Sequence, residues 1–238
     1  MLLLALAIAS GGVVAILAGW AALSSIGPRY RVGRLLAATP QVSLAEAHAL
    51  AAAQAPRYVR VHGRISSAEE FPDEHDRPLV YRRRRLLVAG GPTGWTVVGD
   101  EREAVPFGVE ERGTYLAVDA AALDVGLVVI PREAEGRVAD LPAALAAGLD
   151  PAARGRLLIE QVSAVEHAFT CGVAQTGPAG EVLMSAGLGR PLILTTLEIG
   201  AAMRILARGH HRRVWLAAAL LVAGVLALVV ALLVAVLG

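Results

Sequence analysis

Charged residues are absent from a long stretch at each end of the chain and frequent between the two stretches. Residues 2–23 and residues 214–237 contain no Asp, Glu, Lys or Arg. A helix rising 1.5 Å per residue needs about 20 apolar residues to cross a hydrocarbon core, so both stretches are long enough to span a membrane. The pattern predicts one membrane helix within residues 1–26, a soluble domain over residues 27–213 and a second membrane helix within residues 214–238.

Flanking charges predict how the chain is oriented. A cleaved signal peptide would carry a basic segment before its apolar core, and no charge precedes Leu2, so the first stretch is interpreted as a retained anchor. The arginines nearest the two stretches all lie on their inner sides: Arg29, Arg31, Arg34, Arg204, Arg208, Arg212 and Arg213. The positive-inside rule then places the middle domain in the cytoplasm and both chain ends outside.

The middle domain is predicted to be rich in short strands. Residues 57–65 alternate between apolar and polar side chains, which is typical of a half-buried strand. Further strands are predicted at residues 79–88, 95–98, 114–118, 126–130, 156–162, 168–173, 181–184 and 192–194. Short helices are predicted at residues 41–54, 142–148 and 197–208, the first and last opening with capping-box sequences. The fold class is therefore α+β, with two membrane helices flanking a small barrel or sandwich.

Small residues recur at every fourth position of both apolar stretches. The rows are Ala7, Gly11, Ala15 and Gly19, and Ala219, Ala223, Ala227, Ala231 and Ala235. A spacing of four keeps each row on one helix face, where helix backbones approach closely. We predict packing of the two helices through Gly11, Ala15, Gly19, Ala223 and Ala227. Pairing between two copies of the chain, or a chance pattern in an Ala-rich sequence, are the alternatives.

Composition excludes several kinds of chemistry. All 22 basic residues are Arg, and the absence of Lys and Asn is typical of a GC-rich bacterial genome. Without Lys the chain forms no Schiff base and has no Walker-type phosphate lysine. The single cysteine, Cys171, excludes an intramolecular disulfide and a cysteine-based zinc site. The net charge of +1 gives no indication of nucleic-acid binding. We also predict no cofactor and no bound metal.

The most concentrated charge is Arg82, Arg83, Arg84 and Arg85, hereafter the arginine run. One interpretation is an edge strand protected by charge and paired with the nearby acidic residues Glu69, Glu70, Asp73, Glu74 and Asp76. The other is a binding site for anionic lipid headgroups or an acidic partner, because guanidinium groups hold phosphates at two points.

Few residues suggest catalysis. Cys171 lies in an apolar run and is predicted to be a core residue. Glu160 and His167 are a candidate acid and base, although no Ser-centred motif, H-E-x-x-H sequence or Gly-rich phosphate loop accompanies them. His210 and His211, with the two arginines that follow, are predicted to form an interfacial collar at the second membrane helix.

Several segments resemble the GIDE family, the membrane-side domain of the mitochondrial RING-type ubiquitin ligases and of their prokaryotic relatives. The matching segments are residues 57–65, 77–82, 107–119, 156–162 and 190–194, in this order between two membrane helices. The family often has a Cys after the proline of the second strand, where this chain has Leu79. The RING of the eukaryotic members follows the second membrane helix and needs about eight Cys and His ligands, which one cysteine does not supply.

These features predict a membrane-anchored binding or scaffold module of the GIDE type in the bacterial cytoplasmic membrane. Its β-rich surface would face a protein or lipid partner, with a second copy of the chain as a further partner. The alternatives are a component of a ubiquitin-like transfer system that acts through a separate catalytic chain, and a membrane hydrolase using His167 or Glu160.

Overall fold

The computed structural model describes residues 2–90, 94–141, 145, 148–177, 179–207 and 211–237. These residues belong to two compact units. The β-rich unit comprises residues 36–202, and the helical unit comprises residues 1–35 and 203–238. The long helices are α1 (Leu2–Ala38) and α4 (His211–Leu237), and α2 (Leu44–Ala52) and α3 (Ile199–Ala207) are short.

The β-rich unit contains the described strands. They are β1 (Tyr58–Ser67), β2 (Phe71–Pro72), β3 (Pro78–Ala89), β4 (Trp95–Ala104), β5 (Phe107–Glu111), β6 (Thr114–Val118), β7 (Leu127–Val128), β8 (Arg132–Arg137), β9 (Arg154–Ser163), β10 (His167–Thr176), β11 (Val182–Ser185) and β12 (Ile193–Thr195). Short 3-10 turns follow β6 and β8, at Ala120–Ala122 and Val138–Asp140. The α+β class with a small barrel is therefore confirmed.

The barrel closes because β10 pairs along both of its edges. Strands pair in the order β1, β5, β6, β11 and β10, and β10 pairs again with β1, with Val61 opposite Thr170. Strands β12 and β7 extend the sheet from β10. Val59 and Val61 point into the barrel and are fully buried, so Arg60 and His62, which alternate with them along β1, point outward.

The second sheet is built around β3 and β9. Its strands lie in the order β4, β3, β9 and β8, and β2 pairs with the beginning of β3. One face is covered by a small core of Leu86, Leu145 and Leu157. The beginning of β3 reaches the barrel core, where Val80 and Tyr81 are buried.

Helix α2 forms within the predicted residues 41–54 and begins after Ser43, the first residue of its capping-box sequence. The Ser43 hydroxyl accepts a hydrogen bond from the backbone N–H of Glu46 at 3.2 Å, which satisfies one of the unpaired donors of the first turn. Leu44, Ala47 and Ala51 lie on one side of the helix and join the barrel core. Each such buried aliphatic side chain of leucine size contributes about 1.5–3 kcal/mol.

Three strands were missed from the sequence: the two-residue β2, β5 and β8. β8 carries the sequence REAEGR and is almost entirely exposed, because it is an outer strand without an apolar face. β5 is five residues long and has Phe107, Gly108 and Val109 buried in succession, so it lacks the alternation of a half-buried strand. The predicted helix at residues 142–148 falls mostly outside the described residues, as do residues 91–93 of the turn between β3 and β4.

Helix α1 extends further than predicted. The boundary was placed at residue 26, but the helix continues through Pro28 to Ala38. Its later part packs within the helical unit, where a Cβ on Gly33 would lie 3.3 Å from Met203 Sδ. Buried packing of this kind outweighs the local cost of a proline in a helix.

Helices α1 and α4 pack antiparallel through small residues, but with a different set from the predicted one. A Cβ on Gly12 would lie 2.9 Å from the carbonyl oxygen of Gly224, and one on Gly19 would lie 3.1 Å from that of Ala217. By contrast, a Cβ on Gly11 would meet nothing within 4 Å, and Ala223 is exposed. The prediction was therefore wrong for Gly11 and Ala223, which lie one position from the contacting Gly12 and Gly224, whereas Gly19 lies in the contact as predicted.

The buried small residues repeat every seven positions instead of four. Gly12 and Gly19 are buried on α1, and Ala217, Gly224 and Ala231 are buried on α4. The predicted Ala15 and Ala227 are half-buried at the margin of this seam. A period of seven residues keeps two helices in contact over several turns when they cross at a shallow angle, whereas rows of four drift around the helix.

One described segment is long and apolar enough to cross a membrane, Trp215–Ala235 with 21 residues. The apolar segment of α1, Leu6–Ala22, is shorter than the about 20 residues that a bilayer requires. Of the two predicted membrane helices, α4 alone among the described helices thus has the length and composition needed to cross a membrane.

Candidate interaction surface

The arginine run lies on a central strand and not at an edge. β3 pairs with β4 on one side and with β9 on the other throughout the run. Because side chains alternate along a strand, Arg83 and Arg85 share one face, and Arg82 and Arg84 share the other. The predicted edge strand is therefore wrong, and the four charges are accommodated by acidic side chains on the neighbouring strands.

Arg83 is the most buried member of the run. Its Nε lies 2.8 Å from Asp100 Oδ1 and its Nη2 lies 2.6 Å from Asp100 Oδ2, a two-point pair between β3 and β4. Its Nη1 is also 3.0 Å from Asp124 Oδ1. The hydrogen bonds with Asp100 raise the pKa of Arg83 and lower the pKa of Asp100, each opposed by desolvation.

Further ion pairs complete this face. Arg85 Nη2 lies 3.0 Å from Glu160 Oε1, so the candidate acid Glu160 is neutralised by an arginine and is nearly buried. Arg102 on β4 binds Asp124 at 3.0 Å and donates to the carbonyl oxygen of Leu123 at 3.1 Å. Three arginines thus meet three carboxylates, which leaves the face without excess charge.

The opposite face is also balanced. Arg82 binds Glu103, and Arg84 Nη2 lies 3.0 Å from Glu101 Oε2. These four side chains, with Arg102, line an open cleft of about 450 Å³. The acidic partners predicted for the run were Glu69, Glu70, Asp73, Glu74 and Asp76, and these were wrong. Asp73 instead binds Arg77 at 2.6 Å.

The pairing changes what the arginine run offers a ligand. A phosphate would have to displace a carboxylate from each guanidinium group, and the face carries no net positive charge to attract it. The run is therefore better suited to holding β3, β4 and β9 together than to binding anions.

Cys171, His167 and Glu160 do not form a catalytic group. Cys171 is fully buried on β10 opposite Arg60, which confirms that it is a buried residue, as predicted. His167 is two positions further along the same face and stacks on His62, and Glu160 belongs to the other sheet. Burial raises the pKa of the Cys171 thiol to about 12, with Arg60 lowering it slightly.

Cys171 is therefore expected to resist alkylation. A thiol with this pKa is ionised at pH 8 to about one part in ten thousand, so iodoacetamide should label the folded protein about a thousandfold more slowly than a free cysteine. Mass spectrometry of the full chain in mild detergent measures this rate, with urea-unfolded protein as the control. Labelling of the folded chain at the free-thiol rate would show an accessible nucleophile instead.

The sequence did not identify the outer strand β4 as an exposed surface. Among the described strands β4 pairs only with β3. Thr96, Val97 and Val98 are exposed at this edge, with Val97 51% and Val98 43% accessible. The guanidinium group of Arg156 lies 4.6 Å from the Trp95 ring centre and holds the beginning of the strand. Its β-branched residues predict a strand, but its position at an edge depends on pairings that are distant in sequence.

Comparisons of the chain with protein-family models, with curated proteins and with solved structures find no match. Within the described residues, no group of three or more His, Cys, Asp and Glu side chains is arranged to hold a metal ion. His210 lies outside the described residues, and so do the side chains of His211, Arg212 and Arg213, on which the predicted collar depends. Function is therefore inferred from the contacts of this chain alone.

Proposed function

We propose that this chain is a membrane-anchored binding module that presents the β4 edge to a protein partner. The observation that carries the proposal is the row of exposed β-branched side chains on an outer strand, at Thr96, Val97 and Val98. An uncovered strand edge offers unpaired backbone groups to an extended segment, and apolar side chains add contact area.

The two outer edges of this sheet differ in a way that supports the choice of β4. β8 presents alternating charges, which discourage strand addition. β4 has no charge between Trp95 and Gly99, and Val98 is an extra residue between the partners of Leu86 and Leu87. Such a bulge bends the strand, which favours a short segment over unlimited edge-to-edge association.

A photo-crosslinking experiment tests the proposal. A benzophenone amino acid at Thr96 of the full chain should crosslink to a partner protein in the native membrane, whereas the same group at Ala134 on β8 should not. The additional change Val97→Lys should reduce the Thr96 product at least about tenfold, because a charge at the edge opposes strand addition. Equal products at both positions, or no effect of Val97→Lys, would refute the proposal. A crosslinked dimer of this chain would identify a second copy as the partner.

The anchor is proposed to consist of both long helices. Leu6, Val13, Val14 and Leu17 on α1 are 47–68% exposed and uncharged. The exposed large apolar residues of α4 are 37–67% exposed, whereas the buried small residues lie between the helices. Apolar side chains facing outward and glycines facing inward are typical of an antiparallel pair within lipid. The uncharged sequence of residues 2–23 supplies the length that Leu6–Ala22 lacks.

We further infer that both chain ends lie outside the cytoplasmic membrane of a bacterium and the β-rich unit inside. Seven arginines flank the inner sides of the two apolar stretches. Alkaline phosphatase joined after Gly238 should be active, and the same enzyme joined at Gly180 should be inactive. Activity at Gly180 without activity at Gly238 would reverse the orientation.

A GIDE-type identity remains a proposal from the resemblance of five segments. The small β-barrel and the membrane-spanning length of Trp215–Ala235 are each compatible with it. A role in a ubiquitin-like transfer system is a second proposal, and crosslinking from β4 to a catalytic component of such a system is the result that would favour it.

A further inference from the structure

A row of basic and aromatic side chains crosses two neighbouring strands on the outside of the barrel. Arg64 lies opposite His167 and His62 lies opposite Phe169, on the face of β1 and β10 that points away from the core. Arg60 follows on β1 and lies over the Phe169 ring at 5.9 Å. These five residues are hereafter the β1–β10 row.

The two histidines of the β1–β10 row are held in a defined geometry. Their ring centres lie 5.8 Å apart with 18° between the ring planes. His62 also contacts the Phe169 ring, with centres 4.4 Å apart. His167 and Arg64 are exposed, while His62 is half-buried. The row therefore presents imidazole N–H groups and a guanidinium group to solvent from a rigid pair of strands.

The arginines of this row differ from the arginine run in their pairing. Among the described residues, no ion pair within 4.0 Å joins Arg60 or Arg64 to a carboxylate. Arg60 instead donates to the carbonyl oxygen of Leu36 at 2.7 Å and to Gln41 Oε1 at 3.3 Å. Glu110 on β5 lies opposite Arg64 on its other side and is the nearest acidic position in the register. Within the described part of the chain, Arg60 and Arg64 thus lack the paired carboxylates that each arginine of the run has.

We propose that the β1–β10 row binds the phosphate group of an anionic phospholipid headgroup, with Arg64 and His167 as its contacts. A guanidinium group binds phosphate at two points, and an adjacent imidazole supplies a further donor. Phospholipid is the source favoured by the chain itself, because Trp215–Ala235 is long and apolar enough to hold it in a bilayer. This site lies on the barrel and is independent of the β4 edge.

Binding of a short-chain anionic lipid to the full chain tests the proposal. Native mass spectrometry in maltoside detergent should show dioctanoyl phosphatidylglycerol bound more tightly than dioctanoyl phosphatidylcholine. Arg64→Gln and His167→Gln should each weaken phosphatidylglycerol binding, the arginine change by about fivefold. Arg137→Gln removes an exposed charge from β8 and is the matched control, which should have no effect.

Two further variants separate binding from folding. Glu110→Gln removes the neighbouring negative charge and should strengthen lipid binding severalfold, a gain that misfolding cannot produce. Arg64→Lys keeps the charge and should retain most of the affinity. Equal losses for Arg64→Gln and Arg137→Gln, or an unchanged affinity in Arg64→Gln, would overturn the site. Displacement of the lipid by an equal concentration of inorganic phosphate would overturn phospholipid as its ligand.

Discussion

Replacing Arg83 with Gln is expected to lower the free energy of unfolding of the β-rich unit by about 2–3 kcal/mol, against less than about 1 kcal/mol for Arg84→Gln. The Arg83 side chain is 9% exposed, whereas that of Arg84 is 33% exposed. Loss of Arg83 removes the two-point contact from Asp100, which keeps only a 3.7 Å contact with Arg102, while Asp124 keeps its 3.0 Å contact with Arg102. The expected cost is below that of a fully buried pair because Asp100 is 32% exposed and retains some hydration.

Urea denaturation followed by the fluorescence of Trp95 measures both variants, in a chain whose other two tryptophans, Trp20 and Trp215, are replaced by Phe. Arg83→Lys is a useful intermediate, because it keeps the charge and loses the two-point contact with Asp100. Equal destabilisation by Arg83→Gln and Arg84→Gln would mean that burial of the Arg83–Asp100 ion pair does not determine how much it contributes to the free energy of unfolding.

Introducing Leu at Gly12 is expected to separate α1 from α4, while Leu at the adjacent Gly11 should leave the helices paired. A side chain at Gly12 meets the backbone of Gly224, whereas one at Gly11 meets nothing within 4 Å. Contacts between membrane helices contribute about 1–2 kcal/mol, so the paired population should fall by roughly five- to thirtyfold.

Disulfide formation within one chain reports this pairing. Cysteines at Gly19 and Leu221, with Cys171→Ala, should crosslink efficiently, because a Cβ on Gly19 would lie 2.9 Å from Leu221 Cγ. Gly12→Leu should abolish most of the product and Gly11→Leu should not. A greater loss with Gly11→Leu would show that the helices pack through Gly11, as the sequence predicts. Disulfide-linked dimers would instead indicate pairing between two copies of the chain.

The contact between α1 and α4 shows why Gly19 was predicted correctly while Gly11 was predicted in place of Gly12. Gly11 and Gly12 are equally small; Gly11 belongs to the four-residue row that contains Gly19, and Gly12 lies seven residues before Gly19. The face that meets a partner depends on the crossing of the two helices, and a shallow crossing selects positions seven apart. The small residues therefore predicted close packing of the helices. Which of the two adjacent glycines lies in the contact is decided by how α1 and α4 cross.

For charge pairing too, the arginine run separates what the sequence predicts from what the fold decides. Alternation along a strand was sufficient to show that four consecutive arginines cannot share one face. Their partners are Asp100, Glu101, Glu103, Asp124 and Glu160, and the last lies 75 positions away from Arg85. The acidic residues nearest in sequence were the wrong partners, because a sheet brings together strands from distant parts of the chain.

The sequence by itself determined the features that depend on local order. The apolar run of α4, the capped start of α2, most of the strands and the buried position of Cys171 all follow from residue type and short-range periodicity. Only the tertiary structure decided that β3 is central, that β4 is an open edge and that Arg64 lies beside His167. The physical reason is that strand neighbours are chosen by burial of the whole core, so charge pairing and edge exposure are set by contacts between residues far apart in sequence.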